Sequence, residues 1–543
     1  MTVPLDENED WPTLGQYEHS HLYHDRAAVR GFDQIASLAS SYDFVVVGAG
    51  PIGAALAYKL SIDHPHRRLL VVERSWDEPD RIVGELMQPA GCQALEALGL
   101  RTVFSGIDAV PVHGYHIAYR GQQLYVPYPR KADGSRFRGV SFHHGRLVMN
   151  LRAACKSRRN ITCLEASVGR LLMKDKETVY GVSISPPRGD VSDAAQQHTV
   201  SAGLTLVCDG ISSQFRKTLN PEPMAMLSHF CGFVVEHEPA DSARFFDGPE
   251  GANTHTMQAA TPARENPLPM PHNGHVLLDG LGPVLLYQLT ERHTRVLADL
   301  PGAALPPSDA ALRAALRESL ARAAPKHMYP GLHARLAAAV ADPAQRIRAI
   351  GCRFVPAAAN RFGGALWIGD ALNVRHPLTG GGMTVGLADV ALLCAHLRRA
   401  APGDYGALSA RAVRRAAARW SWDRRPRALV VNTLSVALHA LFAAGDSPDL
   451  GLLRDACFRY LARGSLCNAH PAGFLSGLLP SPLLLVAHFF AVAALAMSLR
   501  LSGDPKAAHS GLLSLPARCL AALRTLWVAA CVILPFMWKE LQP

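Results

Sequence analysis

Residues 44–73 constrain this chain more than any other stretch. The run 44–47, F-V-V-V, predicts a buried strand, and it leads directly into Gly48, Gly50 and Gly53 in G-x-G-x-x-G spacing. Ile52, Leu56 and Leu60 then share one helical face, and 69–72 predict a second strand closed by Glu73. In this β-α-β context the first glycine permits a tight turn, the second lets backbone approach a pyrophosphate, and the third lets helix pack on strand. The helix N-terminus offers its amides to phosphate charge, and Glu73 can accept hydrogen bonds from ribose hydroxyls. A layered α/β domain that holds a dinucleotide is therefore expected.

The fingerprint alone does not separate NAD from FAD. Two later segments bear on that choice. Residues 206–210 read L-V-C-D-G, a strand ending in Asp-Gly, followed by Ser212, Ser213 and Arg216; 366–370 read L-W-I-G-D, followed by His376, Pro377 and the triple glycine 380–382. This order of motifs resembles the flavoprotein monooxygenases of the aromatic-hydroxylase superfamily. The resemblance implies that Asp370 binds the flavin ribityl chain, and a strand-end carboxylate suits sugar hydroxyls; the alternative is a loop or helix-capping carboxylate. The helix beginning at Gly382 and Met383 carries Leu387, Val390, Cys394 and Leu397 on the same face. Its N-terminal dipole would favour the negative charge of reduced flavin.

Three longer segments narrow the likeness: 78–91 (E-P-D-R-I-V-G-E-L-M-Q-P-A-G), 142–151 (F-H-H-G-R-L-V-M-N-L) and 373–384 (N-V-R-H-P-L-T-G-G-G-M-T). Over roughly 42–538 the chain resembles the squalene epoxidases. That resemblance implies FAD contacts from Pro51, Ile52, Glu73, Arg74, Arg81, Arg146, Val168, Asp370 and Met383. Arg74 and Arg81 have an independent reading as cations near a diphosphate, or as solvated surface charges. Tyr115 matches the family's active-site tyrosine and Gln88 a glutamine near it, the phenol holding the amide. Taken alone, Tyr115 is a packed sheet residue. The chain departs from the family in a leader without the N-terminal membrane span of some members, and in a long 239–275 region.

The expected architecture is an α/β Rossmann-like FAD-binding domain with an interleaved β-sheet substrate domain and a C-terminal helical membrane-associated region. Its parts are a polar leader (1–41), the FAD-binding domain with the start of the substrate sheet (42–220), the substrate domain (221–350), the FAD-binding return (351–410) and the helical region (411–543). Alternating runs at 276–278, 284–289 and 294–300 predict strands of the substrate sheet, and 186–199 and 239–275 predict surface loops. Segments 481–499 and 519–538 suit a helical hairpin dipping into one leaflet, joined by a loop with Arg500, Lys506 and Arg518. Pro482 and Arg524 argue against two clean spans; buried soluble helices are the alternative.

The 55 Lys and Arg against 45 Asp and Glu are scattered, which speaks against nucleic-acid binding and for anionic lipid or a phosphate-bearing cofactor. Eleven cysteines without a C-x-x-C pair predict neither a disulfide framework nor a metal site.

The implied reaction is epoxidation of squalene to (S)-2,3-oxidosqualene, with O2 and flavin supplying an electrophilic oxygen without a metal. The pocket should be dry, apolar and shaped to its substrate. A separate NADPH-dependent diflavin reductase would supply electrons, docking on the basic stretch 411–427 unless that is only a solvated helix face. The family setting is the cytosolic face of the endoplasmic reticulum membrane, with monotopic attachment through the C-terminal helices. The other readings are an aromatic hydroxylase or polyprenyl reductase on the same fold, and a non-enzymatic prenyl-binding escort protein.

Overall fold

The apolar run before the first glycine forms β1 (Ser41–Val47), in which Phe44, Val45 and Val46 are fully buried. Residues apolar on both faces suit a parallel strand covered on each side. In the computed structural model, which describes residues 38–186, 198–238, 268–400, 410–445, 447–502 and 515–541, β1 is central to a seven-stranded sheet. The order is β8 (Ile161–Glu165), β2 (Leu69–Glu73), β1, β11 (His198–Val207), β10 (Val179–Ser185), β9 (Ser167–Met173), with β17 (Ala365–Trp367) also paired to β11. β8, β2, β1, β11 and β17 are parallel, so their C-terminal ends share one edge; β10 pairs antiparallel with β11, and β9 antiparallel with β10. Helices α1 (Pro51–Asp63), α2 (Pro89–Ala97) and α3 (His144–Lys156) belong to this unit, α1 packing on α3.

The second sheet runs β16 (Arg348–Phe354), β12 (Ala225–Glu236), β15 (His293–Pro301), β14 (Val284–Thr290), β13 (Gly274–Leu277), β5 (Gly114–Tyr119), β6 (Gln122–Pro127). A small sheet of β3 (Leu86–Met87), β7 (Gly139–Ser141) and β4 (Val110–Val112) accompanies it. The strand alternation has a direct structural meaning. Leu285, Tyr287 and Leu289 of β14 join one core cluster, whereas Val284 and Leu286 join another. Successive side chains leave a strand on opposite faces, so this sheet is buried on both. α4 (Asp309–Ala323) and α5 (Pro330–Ala341) cover one face through Leu316, Leu320, Leu332 and Leu336.

The other face meets the C-terminal helices. After α6 (Gly381–Ala400), which packs on α1 and α2, come α7 (Ala410–Asp423), α8 (Arg425–Phe442), α9 (Pro448–Leu461), α10 (Leu466–Leu475), α11 (Pro482–Ser502) and α12 (Leu515–Leu541). Leu441, Leu453 and Phe458 share a cluster with Phe230, Leu285 and Leu297 of the sheet. α11 and α12 pack against each other and are both long and apolar enough to cross a membrane.

Three details differ from the sequence expectation. Pro482 is the first residue of α11, where its missing N–H removes no helical bond, so it does not interrupt the segment. Arg500 is not in a connecting loop: it lies within α11, buried, donating to Asp449 at 3.0 Å. Arg524 pairs with the same carboxylate at 2.8 Å, and Thr525 donates to it at 2.7 Å. The charges that interrupt the apolar segments thus fasten the hairpin to α9. Most of both expected surface loops, 187–197 and 239–267, lies outside the described residues, as does Lys506.

Candidate functional site

Where parallel strands end on one edge, an open α/β sheet leaves a crevice. Here the chain leaving β1, β2, β11 and β17 passes through Gly48, Glu73, Cys208 and Ile368, and beside them lies a cavity of about 980 Å³. Gly48, Gly50, Pro51 and Ile52 line it from the first motif, and Glu73, Arg74 and Arg81 from β2 and the chain after it. Val168 of β9 lines it too, as do Asp370, Gly382 and Met383 of the return segment.

The glycines divide the work as their spacing implies. Gly48 has φ +98°, and a Cβ there would sit 2.7 Å from the Cys208 carbonyl oxygen. A Cβ on Gly53, which does not line the cavity, would sit 1.9 Å from the Gly48 carbonyl oxygen, inside the strand–helix contact. Gly50 differs: among the described residues a Cβ would meet no atom within 4 Å, and the same holds for Gly382. At those two positions only something within the cavity would object to a side chain.

Charged groups stand around the same space. Glu73 Oε2 accepts the Ala49 N–H at 2.8 Å, which fixes one carboxylate at the adenosine end expected from the fingerprint. At the other motif, Arg216 Nη2 donates to the carbonyls of Gly210 (2.9 Å) and Asp370 (2.8 Å), tying the Asp-Gly and Gly-Asp strand ends together. Asp209 lines the cavity with Oδ1 buried and unpartnered among the described residues, and burial raises its carboxyl above the ordinary range. Acids for sugar hydroxyls, cations for a diphosphate and two glycine-lined approaches fit an adenine-dinucleotide-type cofactor.

Arg146 is a correction. It is absent from the cavity lining; its Nη1 bonds Asp108 Oδ2 at 2.6 Å on an exposed face. Arg152, later in α3, lines the cavity instead: buried, it donates from Nε to the Ala49 carbonyl (3.0 Å) and from Nη1 to the Asp77 carbonyl (2.8 Å), over the Trp76 ring. His144 lines the cavity one turn before Val148, with Nδ1 2.9 Å from the Gly84 carbonyl. Burial lowers its pKa to about 4, so at neutral pH Nδ1–H donates from an uncharged ring.

Tyr115 and Gln88 meet. The Tyr115 hydroxyl donates to Gln88 Oε1 at 2.7 Å, Tyr128 donates to the same oxygen at 2.7 Å, and Gln88 Nε2 donates to the Thr379 carbonyl at 2.9 Å. Burial raises both phenols, so both remain protonated donors. The amide is thereby oriented from three sides, just before the triple glycine.

This trio sits at a junction of cavities. Gly84, Pro377 and Gly380 line both the large cavity and a smaller one that also meets Gln88 and Tyr115. Tyr115, Val276, Leu378 and Thr379 line both that one and a third, almost wholly apolar cavity, walled by Leu438, Leu441, Phe442, Phe474 and Phe489 of the C-terminal helices. A crevice with charged groups in its wall thus adjoins an apolar cavity across a small one that Gln88 lines.

Sequence reasoning assigned no role to Arg152, His144, Asp209, Tyr128 or Arg375, all of which line this site or fix its residues. Asp209 and Arg375 stand inside the quoted motifs, and Arg152 sits against the apolar stripe of α3; those were the available signals.

Known proteins resemble this one along most of its length. A family model described as squalene epoxidase matches residues 201–244 and 253–513. The squalene epoxidase of Candida albicans is 34% identical, covering 92% of this chain and 99% of that protein. The squalene monooxygenase of Mus musculus is 34% identical, covering 93% and 79%. Among solved structures, the anhydrotetracycline hydroxylase OxyS of Streptomyces rimosus superposes with a TM-score of 0.55 at 19% identity, over 81% of this chain and 76% of that one. That last likeness shows the fold alone.

Proposed function

Because the chain belongs to the squalene epoxidase family, we propose that its large crevice holds FAD and that the apolar channel beyond Gln88 takes the hydrocarbon. The enzyme is a flavin monooxygenase that epoxidises squalene in sterol biosynthesis, using O2. The finer assignments rest on chemistry. Gly48, Gly50 and the start of α1 would take the pyrophosphate, Glu73 the adenosine ribose, and Asp370 the ribityl hydroxyls. Arg74, Arg81 and Arg152 would balance the diphosphate charge, Ile52, Val168 and Met383 supplying apolar contact. In this reading 42–220 and 351–410 form the FAD-binding domain, 221–350 the substrate domain and 411–543 the membrane-associated region.

Bound flavin would supply the redox chemistry by which O2 becomes an oxygen donor to an alkene. The protein's own part is placement and exclusion of water. Gln88, held by two phenols and the Thr379 carbonyl, keeps the constriction in one shape, and the channel walls exclude water from the reacting end of the chain. A hydrocarbon offers no polar handle, so selection is by length and contour.

Electrons would come from an NADPH-dependent diflavin reductase. α7 supports a docking role: Arg411, Arg414, Arg415 and Arg419 are exposed on one side while Val413, Ala416, Ala417 and Trp420 are buried on the other. Membrane attachment through α11 and α12 is supported by their apolar surfaces and by the insolubility of the substrate, and the cytosolic face of the endoplasmic reticulum membrane is the setting that the family likeness implies.

The observation that carries this reading is that the crevice, the small cavity at Gln88 and the apolar cavity adjoin through shared walls. Detergent-solubilised protein incubated with FAD, NADPH, the reductase and squalene should yield oxidosqualene by mass spectrometry. Full flavin loading without that product would overturn the substrate reading.

A further inference from the structure

The large cavity includes a buried charge, from the 373–384 segment, to which the sequence motifs assigned no role. Arg375 is 6% exposed and lines the cavity beside Pro377, Gly380 and Gly382. It donates to the carbonyls of Gly381 (3.5 Å) and Gly382 (3.3 Å), in the first turn of α6, and to Asn373 Oδ1 (2.8 Å). Its Nε is buried with no hydrogen-bond partner among the described residues. Asp370, Asp389 and Glu540 are near enough to favour its charge and Arg424 to oppose it, but among the described residues no carboxylate is in ion-pair contact with it. Asp389 is instead held by Arg424 at 2.8 Å, and Glu540 reaches Asn373 Nδ2 at 3.3 Å.

A buried guanidinium without an ion pair is costly unless something balances it. Its neighbour, the N-terminus of α6, carries positive partial charge of its own, which compounds the problem. Asp370, Asp389 and Glu540 offset that charge only from a distance, so a cofactor that places negative charge at this wall would stabilise both positive ends further. Reduced flavin gains negative charge and oxidised flavin is neutral, so the pair would favour the reduced form.

Building on the flavin reading above, we propose that Arg375 is the counter-charge for reduced flavin and sets its reduction potential. Asn373 is the positioning residue. Its Oδ1 accepts from both Arg375 and Asn432 Nδ2 (2.7 Å), and its Nδ2 is held by Glu540 from the last turn of α12. The orientation of the guanidinium is therefore shared between the flavin loop, α8 and the C-terminal hairpin.

The test is the flavin midpoint potential of the full-length, detergent-solubilised holoenzyme, read spectroscopically in reductive titration, for wild type, R375Q and R375K. Loss of the charge in R375Q should weaken reduced relative to oxidised flavin binding by about tenfold or more, lowering the midpoint by about 30 mV for the two-electron couple. R375K keeps the charge and should stay close to wild type. An unchanged midpoint in R375Q overturns the proposal. Should R375Q retain no flavin, R375K decides, and a drop of that size despite the kept charge overturns the proposal as well. Wild-type protein that binds no FAD would instead remove the flavin reading itself.

Discussion

Arg152 and Arg146 share one helix and carry the same charge, yet one lines the crevice and the other faces solvent. At about 100° per residue, six positions turn the helix through roughly two thirds of a further revolution, so the two point apart. R152A should therefore lower FAD affinity by about 10–100-fold, the value of one charge-assisted contact, while R146A leaves it unchanged. Equilibrium titration of flavin fluorescence checks both, and equal losses would mean that the cavity wall is misassigned. The Gln88 amide gives a second residue-scale prediction. Gln88→Leu leaves two buried phenols without their acceptor, at about 1–3 kcal/mol each in stability. The double change Tyr115→Phe, Tyr128→Phe leaves only the amide oxygen unsatisfied, so it should destabilise less than Gln88→Leu in denaturant titration.

At the scale of elements, the turn between β1 and α1 separates two kinds of glycine. Gly53→Ala drives a methyl into the Gly48 carbonyl and should destabilise the fold by about 3 kcal/mol or more. Gly50→Ala meets no described atom and should fold normally, but lose FAD affinity by about tenfold or more, roughly 1.4 kcal/mol. Thermal melting with and without flavin distinguishes the two. Between the sheets, Arg295 of β15 donates twice to Glu85 at 2.8 Å, and Tyr287 of β14 donates to the same carboxylate at 3.1 Å. Arg295→Met would strand Glu85, whose carboxyl burial already raises, and should cost about 3–5 kcal/mol in urea unfolding. These two elements also mark what was legible in the chain. The glycine turn is a local pattern, and everything needed to read it lies within about thirty residues. Glu85 and Arg295 are paired across 210 positions, and neither residue type nor spacing announces such a partner. The α3 register lay between these cases: Leu147, Val148, Leu151 and Cys155 define a buried stripe that places Arg152 beside it, although the motif alone pointed to Arg146.

At the scale of the molecule, the C-terminal hairpin belongs to both the membrane question and the site. Its inner side is fastened by Asp449 to Arg500, Arg524 and Thr525, and its far end reaches Asn373 through Glu540. Its outer side is apolar and uncovered, with Leu483, Trp527 and Trp538 exposed by 85%, 69% and 66%. Helices that were merely core would bury those side chains, whereas helices resting in a leaflet present them. Burying each is worth about 1.5–3 kcal/mol, so the triple change Leu483→Ser, Trp527→Ser, Trp538→Ser should weaken partitioning onto vesicles by about 100-fold or more. None of the three lines the crevice or the apolar channel, so flavin content should stay at the wild-type level. Co-sedimentation with phosphatidylcholine vesicles, alongside the flavin absorbance of each fraction, measures both. Unchanged sedimentation would assign attachment to another surface. Lost binding together with lost flavin would mean that the hairpin's lipid contact and the Glu540 tether act as one unit.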